Sequence, residues 1–169
     1  MSIAYWSTMD TPIGPFTAVV TQDGVVLASG WTSGIADLSE LISPALAPAE
    51  FKQRKELGAV TDAVRAYHEG ELDAVADVEV HQRSGTFREH AWKVLRTIPA
   101  GHPVSYAEYA ELSGNPAAVR AAASACARNA AALFVPCHRV VRTGGAIGNF
   151  RWGIEAKRWL LSHESTQAA

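Results

Sequence analysis

Hydrophobic positions near the N-terminus form two short runs that predict a β-hairpin. Residues 16–21 are mostly β-branched, aromatic or small, and residues 25–31 are again largely apolar. Between them lies the polar turn Gln22-Asp23-Gly24. A turn that ends in glycine between two apolar runs is typical of antiparallel strands. The first segment of the chain is therefore expected to be β-structure.

The apolar spacing becomes helical further along the first half. Apolar residues recur at helical intervals from Leu57 to Tyr67, and Gly70 is placed to end that helix. Residues 76–81 then alternate between apolar and polar, as a short strand does. The pattern predicts a small α/β domain in which a helix packs against the hairpin sheet.

A change in charge balance marks the expected domain boundary. Residues 82–85 form the predicted linker between domains at 1–83 and 84–169. The first domain contains 5 Lys and Arg against 12 Asp and Glu, and the second contains 10 against 5. The net charge of −2 therefore hides a basic second half. That excess favours a polyanionic partner, although solvated surface charge would give the same balance.

The second domain is predicted to consist of short helices. Thr86 is expected to cap an amphipathic helix, and Ser105 to cap the next one with Glu108 completing a capping box. Asn115 is expected to cap a further helix that begins at Pro116. Two helices joined by a short glycine-containing turn form a helix-turn-helix shape, which occurs in DNA-binding proteins and in many others.

The last of these helices is rich in alanine, with seven alanines between Pro116 and Arg128. Alanine has the highest helix propensity and almost no side-chain bulk. The composition therefore indicates either simple helix stability or a smooth face that approaches something narrow. Arg120 lies among these alanines and is either a solvated charge or a protruding functional group.

Composition excludes several classes of protein. A chain of 169 residues with 48% hydrophobic and 19% charged residues is not intrinsically disordered. It contains no apolar run of the ~20 residues that a membrane span requires, and its first residues do not resemble a secretory signal. Two cysteines exclude a disulfide scaffold. The absence of an apolar span and of a secretory signal favours a cytoplasmic protein. We expect no metal and no cofactor, because no zinc-site spacing or phosphate-binding loop is present.

The candidate chemistry lies at Cys137 and His138, which follow Pro136 between two apolar runs. A thiol becomes a good nucleophile as the thiolate, and an imidazole can take its proton. Adjacent side chains of a strand point to opposite faces, so direct contact would need a turn or a bridging water. The pair is either a nucleophile with its base or a buried thiol beside a satisfied histidine. Glu164 is either the acid that orients His138 or a solvated charge.

The motif Pro136-Cys137-His138-Arg139-Val140 resembles the signature of the O6-alkylguanine-DNA alkyltransferases. The good match extends over residues 86–164, and its other parts are Ile98–Tyr106, Gly114–Ala121, Asn129 and Gly148–Gly153. The resemblance implies an α+β fold in two parts. The first would be a ribonuclease-H-like α/β domain, and the second a helical, winged helix-turn-helix-like domain.

The resemblance also implies a role for each residue of the catalytic site. Cys137 would take the alkyl group from guanine O6 and keep it as a thioether, so each molecule would react once. His138 would act on the thiol through a water, and Glu164 would orient His138. Asn129 would brace the turn around the cysteine, and Tyr106 would donate a proton toward the guanine ring. O4-alkylthymine would be a poorer substrate.

Double-stranded DNA is the implied partner, bound through its minor groove by a monomer, with cooperative binding left open. Arg120 would fill the gap left by an extruded base, since the O6 substituent is inaccessible inside the base stack. The expected DNA-binding residues are Arg120, Ala121, Ser105, Asn115 and Ala123. The expected lining of the guanine pocket is Val140, Phe150, Arg151 and Pro136.

Several residues depart from the family pattern. Ala123 and Ala130 stand where the family usually has glycine and proline, respectively. Phe150 replaces a tyrosine of many members. Arg151 and Trp152 occupy loop positions that are small in other members, which would narrow the pocket against bulky adducts.

Two other functions are compatible with parts of the sequence. A non-catalytic lesion-binding module would share the helices, but the related modules have another residue in place of Cys137. A Cys-His-Glu hydrolase would use Cys137 to form an acyl intermediate that water releases. Neither alternative explains Arg120, Tyr106 and Cys137 together.

Overall fold

The computed structural model describes residues 2–168 and shows a mixed α+β fold, as predicted. Its strands are β1 (Ile3–Thr11), β2 (Gly14–Thr21), β3 (Val26–Gly30), β4 (Glu50–Gln53), β5 (Val104–Ser105) and β6 (Val140–Val141). Its α-helices are α1 (Ile35–Ser39), α2 (Ala59–His68), α3 (Thr86–Leu95), α4 (Tyr106–Leu112), α5 (Val119–Ala127) and α6 (Ile154–Ala168). A single 3₁₀ turn spans Cys137–Arg139.

The chain divides into two compact units. The N-terminal unit contains the chain up to Arg83 together with Ala130–Phe134. The C-terminal unit contains Ser84–Asn129 and the chain from Val135 onward. The segment Ala130–Phe134, which falls within the second of the two domains expected from sequence, thus lies in the N-terminal unit.

The N-terminal unit is built on a four-stranded sheet in the order β3-β2-β1-β4. The predicted hairpin is present: β2 and β3 are antiparallel, with an irregularity between Val19 and Val20. β1 is antiparallel to β2 and parallel to β4. The sequence analysis missed β1 and β4, because β4 is short and largely exposed and its pairing with β1 is distant in sequence.

All five residues of β3 are buried although it is an edge strand, because other segments cover it. Ser29 N donates to Ala130 O (2.8 Å), Ala132 N donates to Ser29 O (3.3 Å), and Ser29 Oγ donates to Ala132 O (2.7 Å). A single bridge joins Val26 to Val80. These contacts satisfy backbone groups that an open sheet edge would leave unpaired.

In the C-terminal unit, α3, α4 and α5 pack against one another. Two buried hydrogen bonds connect them. Tyr109 Oη donates to Ala91 O (2.7 Å), and Trp92 Nε1 donates to Ala125 O (2.8 Å). Beside these helices β5 pairs in parallel with β6. The alanine-rich α5 is therefore held from α3 through its backbone as well as through packing.

The capping box predicted for α4 is confirmed. Ser105 Oγ accepts a hydrogen bond from Glu108 N (3.0 Å), and Ser105 N donates to Glu108 Oε1 (3.0 Å). Two of the amide groups that a helix start leaves unpaired are satisfied in this way.

Three local predictions are wrong. Residues 76–81 do not form a strand: Ala76 and Asp77 lie in a turn, and Val80 makes an isolated bridge to Val26, because no adjacent residues extend the pairing. Gly85 rather than Thr86 occupies the cap of α3. Helix α5 begins at Val119, because Asn115 Oδ1 accepts from Ala117 N and folds the intervening residues into a turn.

Among the residues that the structure describes, no helix combines the length and the apolar composition needed to cross a membrane.

We expect Ser29→Ala to lower the free energy of unfolding by about 1–2 kcal/mol, because it removes a fully buried hydrogen bond to Ala132 O. Chemical denaturation measures the change. Ser33→Ala, at an exposed position, is the matched control and should alter stability by no more than about 0.5 kcal/mol. If Ser29→Ala and Ser33→Ala lost the same amount of unfolding free energy, the hydrogen bond from Ser29 to Ala132 O would not be stabilising the fold.

Candidate active site

Cys137 and His138 lie in a turn rather than in an extended strand. Cys137 N donates to Val135 O (2.9 Å), and Arg139 N donates to Pro136 O (3.0 Å). Pro136 has no amide hydrogen and fixes its own φ, which suits the entry to such a turn. Pro136 and all three residues of the 3₁₀ turn are buried.

Asn129 braces this turn from the end of α5. Its Nδ2 donates to Val135 O (2.8 Å), the same oxygen that accepts from Cys137 N. The side chain is buried, and its hydrogen bond to the thiol acts to lower the pKa of Cys137. One amide side chain therefore contacts both the backbone of the turn and its sulfur.

Glu164, on α6, is 1% exposed and accepts hydrogen bonds from His138 and Arg139. His138 Nε2 lies 2.7 Å from Glu164 Oε2, Arg139 Nη2 donates to the same oxygen (2.9 Å), and Arg139 Nε donates to Oε1 (3.0 Å). Burial by itself would raise the pKa of Glu164, but the charges and hydrogen bonds of His138 and Arg139 hold it well below its usual range. Arg139 Nη1 also donates to Ile98 O (2.7 Å), which anchors the cluster.

The carboxylate determines which nitrogen of His138 carries the proton in the neutral ring. An ionised carboxylate only accepts hydrogen bonds, so Nε2 must be the donor and Nδ1 keeps its lone pair. Nδ1 is buried and has no hydrogen-bond partner among the described residues. This nitrogen is therefore the one available to take a proton.

Burial raises the pKa of the Cys137 thiol, while the hydrogen bond from Asn129 and the positive charges of Lys157 and Arg151 oppose that rise. The net direction is upward. The sulfur consequently rests as a thiol, and a base must remove its proton before it can attack.

Lys157 is the one lysine among the described residues whose side chain is fully buried. Its Nζ donates to Val140 O (2.8 Å) and to Asn149 O (3.3 Å). Burial lowers the pKa of this ammonium, and the charges that thiolates at Cys137 and Cys126 would carry act to raise it. A positive group at this place favours the thiolate form of Cys137.

Tyr106, in the first turn of α4, keeps its phenolic proton at neutral pH. Burial, followed by the charges that thiolates at Cys126 and Cys137 would carry, raises its pKa to about 12. A Cβ placed on Gly148 (φ +74°) would lie 3.4 Å from Tyr106 Oη and 3.4 Å from Lys157 Nζ. Glycine thus permits the loop backbone to approach the phenol closely.

The residues expected to bind DNA lie on or near α4 and α5. Arg120 and Ala121 are exposed in the first turn of α5, and Ala123 is half-buried. Asn115 is exposed in the turn before α5, and the Ser105 hydroxyl is engaged in the cap of α4. Arg120 and Ala121 thus lie on the surface, whereas the Ser105 hydroxyl already accepts a hydrogen bond within its own helix cap.

The residues expected to line the guanine pocket differ in how far they are exposed to solvent. Val140 is buried, Phe150 is half-buried, and Arg151 is exposed. Arg151 Nη2 donates to Ala127 O (2.6 Å), at the C-terminal end of α5. The Val140 carbonyl accepts from Lys157.

Cys126, the second free cysteine, is half-buried, and burial raises its pKa well above the usual value. Within the described part of the chain, no group of three or more His, Cys, Asp or Glu side chains is arranged to hold a metal ion.

Comparison with known proteins identifies the family. A family model described as "6-O-methylguanine DNA methyltransferase, DNA binding domain" matches residues 86–166. The methylated-DNA–protein-cysteine methyltransferase of Mycobacterium tuberculosis is 35% identical over 167 residues, covering 97% of this chain and 94% of that protein. The chain belongs to the methylated-DNA–protein-cysteine methyltransferase family.

Two further relatives support this placement. The crystal structure of Mycobacterium tuberculosis OGT in complex with DNA has a TM-score of 0.79 and 32% identity, covering 96% of this chain and 94% of that chain. The bifunctional transcriptional activator/DNA repair enzyme Ada of Escherichia coli is 49% identical over 83 residues. That match covers 49% of this chain and only 23% of Ada.

In this methyltransferase, sequence reasoning missed two residues of the site. Arg139 is visible in the sequence only as part of the cysteine motif, and Lys157 belongs to no motif. A signal for Lys157 was present in the pattern, because Lys157, Leu160 and Glu164 share one face of α6 at helical spacing. Two charged residues in line with a buried leucine indicate a buried polar cluster.

We expect Glu164→Gln to lower the free energy of unfolding by about 3 kcal/mol at pH 7, because it leaves the Arg139 charge buried without its carboxylate. The depressed pKa of Glu164 stabilises the folded state above the pKa of the unfolded chain. That contribution is lost as the pH falls below the ordinary value of 4.5, so the two proteins should converge in acid.

Denaturation at a series of pH values tests this. Glu155→Gln is the matched control, since Glu155 is 87% exposed in a surface pair with Arg158. The control should differ from the wild type by no more than about 0.5 kcal/mol at every pH. A Glu164→Gln deficit that stays constant into acid would contradict the assignment.

Proposed function

We propose that this methyltransferase repairs DNA by moving an alkyl group from guanine O6 to the sulfur of Cys137. Family membership establishes the class of reaction, transfer from methylated DNA to a protein cysteine. The observation that carries the assignment to Cys137 is the Glu164–His138 hydrogen bond. It holds the proton on Nε2 and leaves Nδ1 as a base at the residue next to the cysteine.

In the proposed reaction, the thiol proton passes through a water to His138 Nδ1, and the sulfur attacks the carbon bound to guanine O6. The new S–C bond forms as the C–O bond breaks, and the electron pair stays with the guanine. Tyr106 supplies a proton toward the ring, so that guanine leaves as a neutral base. The pKa of about 12 keeps that proton on Tyr106 until it is needed.

The product is a thioether, and no described group is arranged to remove the alkyl group from it. Each molecule therefore reacts once. Positive charge from Lys157 and Arg151 stabilises the sulfur anion as it forms. O6-alkylguanine is the preferred substrate and O4-alkylthymine a poorer one.

The C-terminal unit is the proposed DNA-binding part, a winged helix-turn-helix-like arrangement of α4, α5 and the β5–β6 pair. Its partner is double-stranded DNA, bound from the minor groove. The exposed Arg120 enters the duplex and occupies the space of the extruded base. The N-terminal unit corresponds to a ribonuclease-H-like domain, and the protein acts as a cytoplasmic monomer.

Cys137→Ser is expected to abolish alkyl transfer, because the hydroxyl is a far weaker nucleophile than the thiolate. Intact-protein mass spectrometry after mixing with duplex DNA containing one O6-methylguanine measures the reaction. Wild-type protein should gain one methyl group, located by peptide mapping at Cys137. Cys126→Ser is the matched control and should still gain it, and methylation of Cys137→Ser would overturn the assignment.

Arg120→Ala should slow transfer from duplex DNA by about 10-fold or more while leaving transfer from free O6-benzylguanine unchanged, since only the duplex requires a side chain in the gap. Rate constants on both substrates test this. Arg128→Ala, which removes an exposed arginine at the other end of α5, is the control for charge alone. Equal slowing of both substrates by Arg120→Ala would rule out insertion into the duplex.

A further inference from the structure

The side chain of Arg151 connects two parts of the C-terminal unit that the proposed function uses differently. Arg151 belongs to the pocket loop, which we define as Gly148–Gly153. Its Nη2 donates a 2.6 Å hydrogen bond to Ala127 O, the last residue of α5. One exposed guanidinium therefore joins the proposed wall of the guanine pocket to the helix that carries Arg120.

The end of α5 is built to receive such a donor. Helices commonly have a left-handed residue just after the C-cap, which satisfies the last carbonyl groups, but Asn129, the residue after the C-cap Arg128, does not have a positive φ. The carbonyl of Ala125 is instead satisfied by Trp92 Nε1, and that of Ala127 by Arg151. A cation at a helix C-terminus is also favoured by the helix dipole.

The pocket loop is held from its other side by a buried group. Lys157 Nζ donates to Asn149 O (3.3 Å), and Gly153 N donates to Phe150 O (3.1 Å). Both glycines that bound the loop have positive φ, +74° at Gly148 and +103° at Gly153. Such residues allow the backbone between them to move as a flap unless side chains tie it down.

We infer that Arg151 is a specificity-determining positioning residue, which fastens the pocket loop to α5 and thereby limits the size of the alkyl group that the site admits. The inference rests on the proposed function. With the fastening intact, the half-buried Phe150 stays close to the base and leaves room for a small adduct. Without it, the loop moves outward, and a bulky adduct gains access.

Two other roles for Arg151 would change the reaction rates in different ways. Its charge lowers the pKa of the Cys137 thiol, and that effect would change the rate for every adduct by the same factor because the nucleophile is shared. A contact with DNA phosphates would change rates on duplex DNA alone and would depend on salt. Fastening of the loop changes the ratio between adducts on free bases as well as on DNA and, unlike direct narrowing of the pocket by the side chain itself, it also changes the mobility of the loop backbone.

The experiment compares second-order rate constants for methyl and benzyl adducts of guanine O6, each as the free base and in the same duplex. Arg151→Gln removes the charge and shortens the side chain, and the benzyl-to-methyl ratio should rise about three- to tenfold on both kinds of substrate. Arg151→Lys keeps a long donor and should restore a ratio closer to the wild type. Arg158→Gln, an exposed arginine on α6, is the control and should leave the ratio unchanged.

Amide hydrogen exchange provides a readout independent of chemistry. Arg151→Gln should speed exchange in the pocket loop, whereas Arg158→Gln should not. An unchanged adduct ratio, a change confined to duplex DNA, or unaltered exchange in the loop would each overturn the inference. Failure of the proposed function is distinguishable, because wild-type protein would then gain no alkyl group from any of the four substrates.

Discussion

The rest of the site depends on the pairing of the buried Glu164 carboxylate with His138 and Arg139. A carboxylate removed from water is costly unless its charge is compensated, and here His138 and Arg139 compensate it with three hydrogen bonds. The arrangement fixes which nitrogen of His138 can act as a base. Because Arg139 also bonds Ile98 O, the same contacts join α6, the 3₁₀ turn and the segment after α3.

The 3₁₀ turn at Cys137–Arg139 depends on the chain that leads into it as well as on its own residues. The chain leaves the C-terminal unit after Asn129 and rejoins it at Val135, where the Asn129 amide closes the interval. The intervening residues lie in the N-terminal unit, where Ala131 forms a bridge with Ser29 of β3.

The electrostatics of the site suit an acceptor that reacts once. Burial keeps the Cys137 sulfur protonated, so it is a poor nucleophile toward reagents that reach it by chance. Lys157 and Arg151 reduce the cost of forming the thiolate without removing it. The nitrogen of His138 that Glu164 leaves without a proton is therefore the base that the proposed reaction uses to form the thiolate.

The sequence by itself determined the features that depend on near neighbours. The hairpin and the Ser105–Glu108 capping box follow from local spacing, and the Cys137 motif indicated the chemistry through its resemblance to a family. Only the tertiary structure decided that Glu164 is buried rather than solvated and that Arg139 and Lys157 belong to the site. It also decided that residues 76–81 pair with β3 only at Val80 and do not form a strand. Burial of a charge depends on which helix face meets the core and which distant group neutralises it, and local spacing does not encode either.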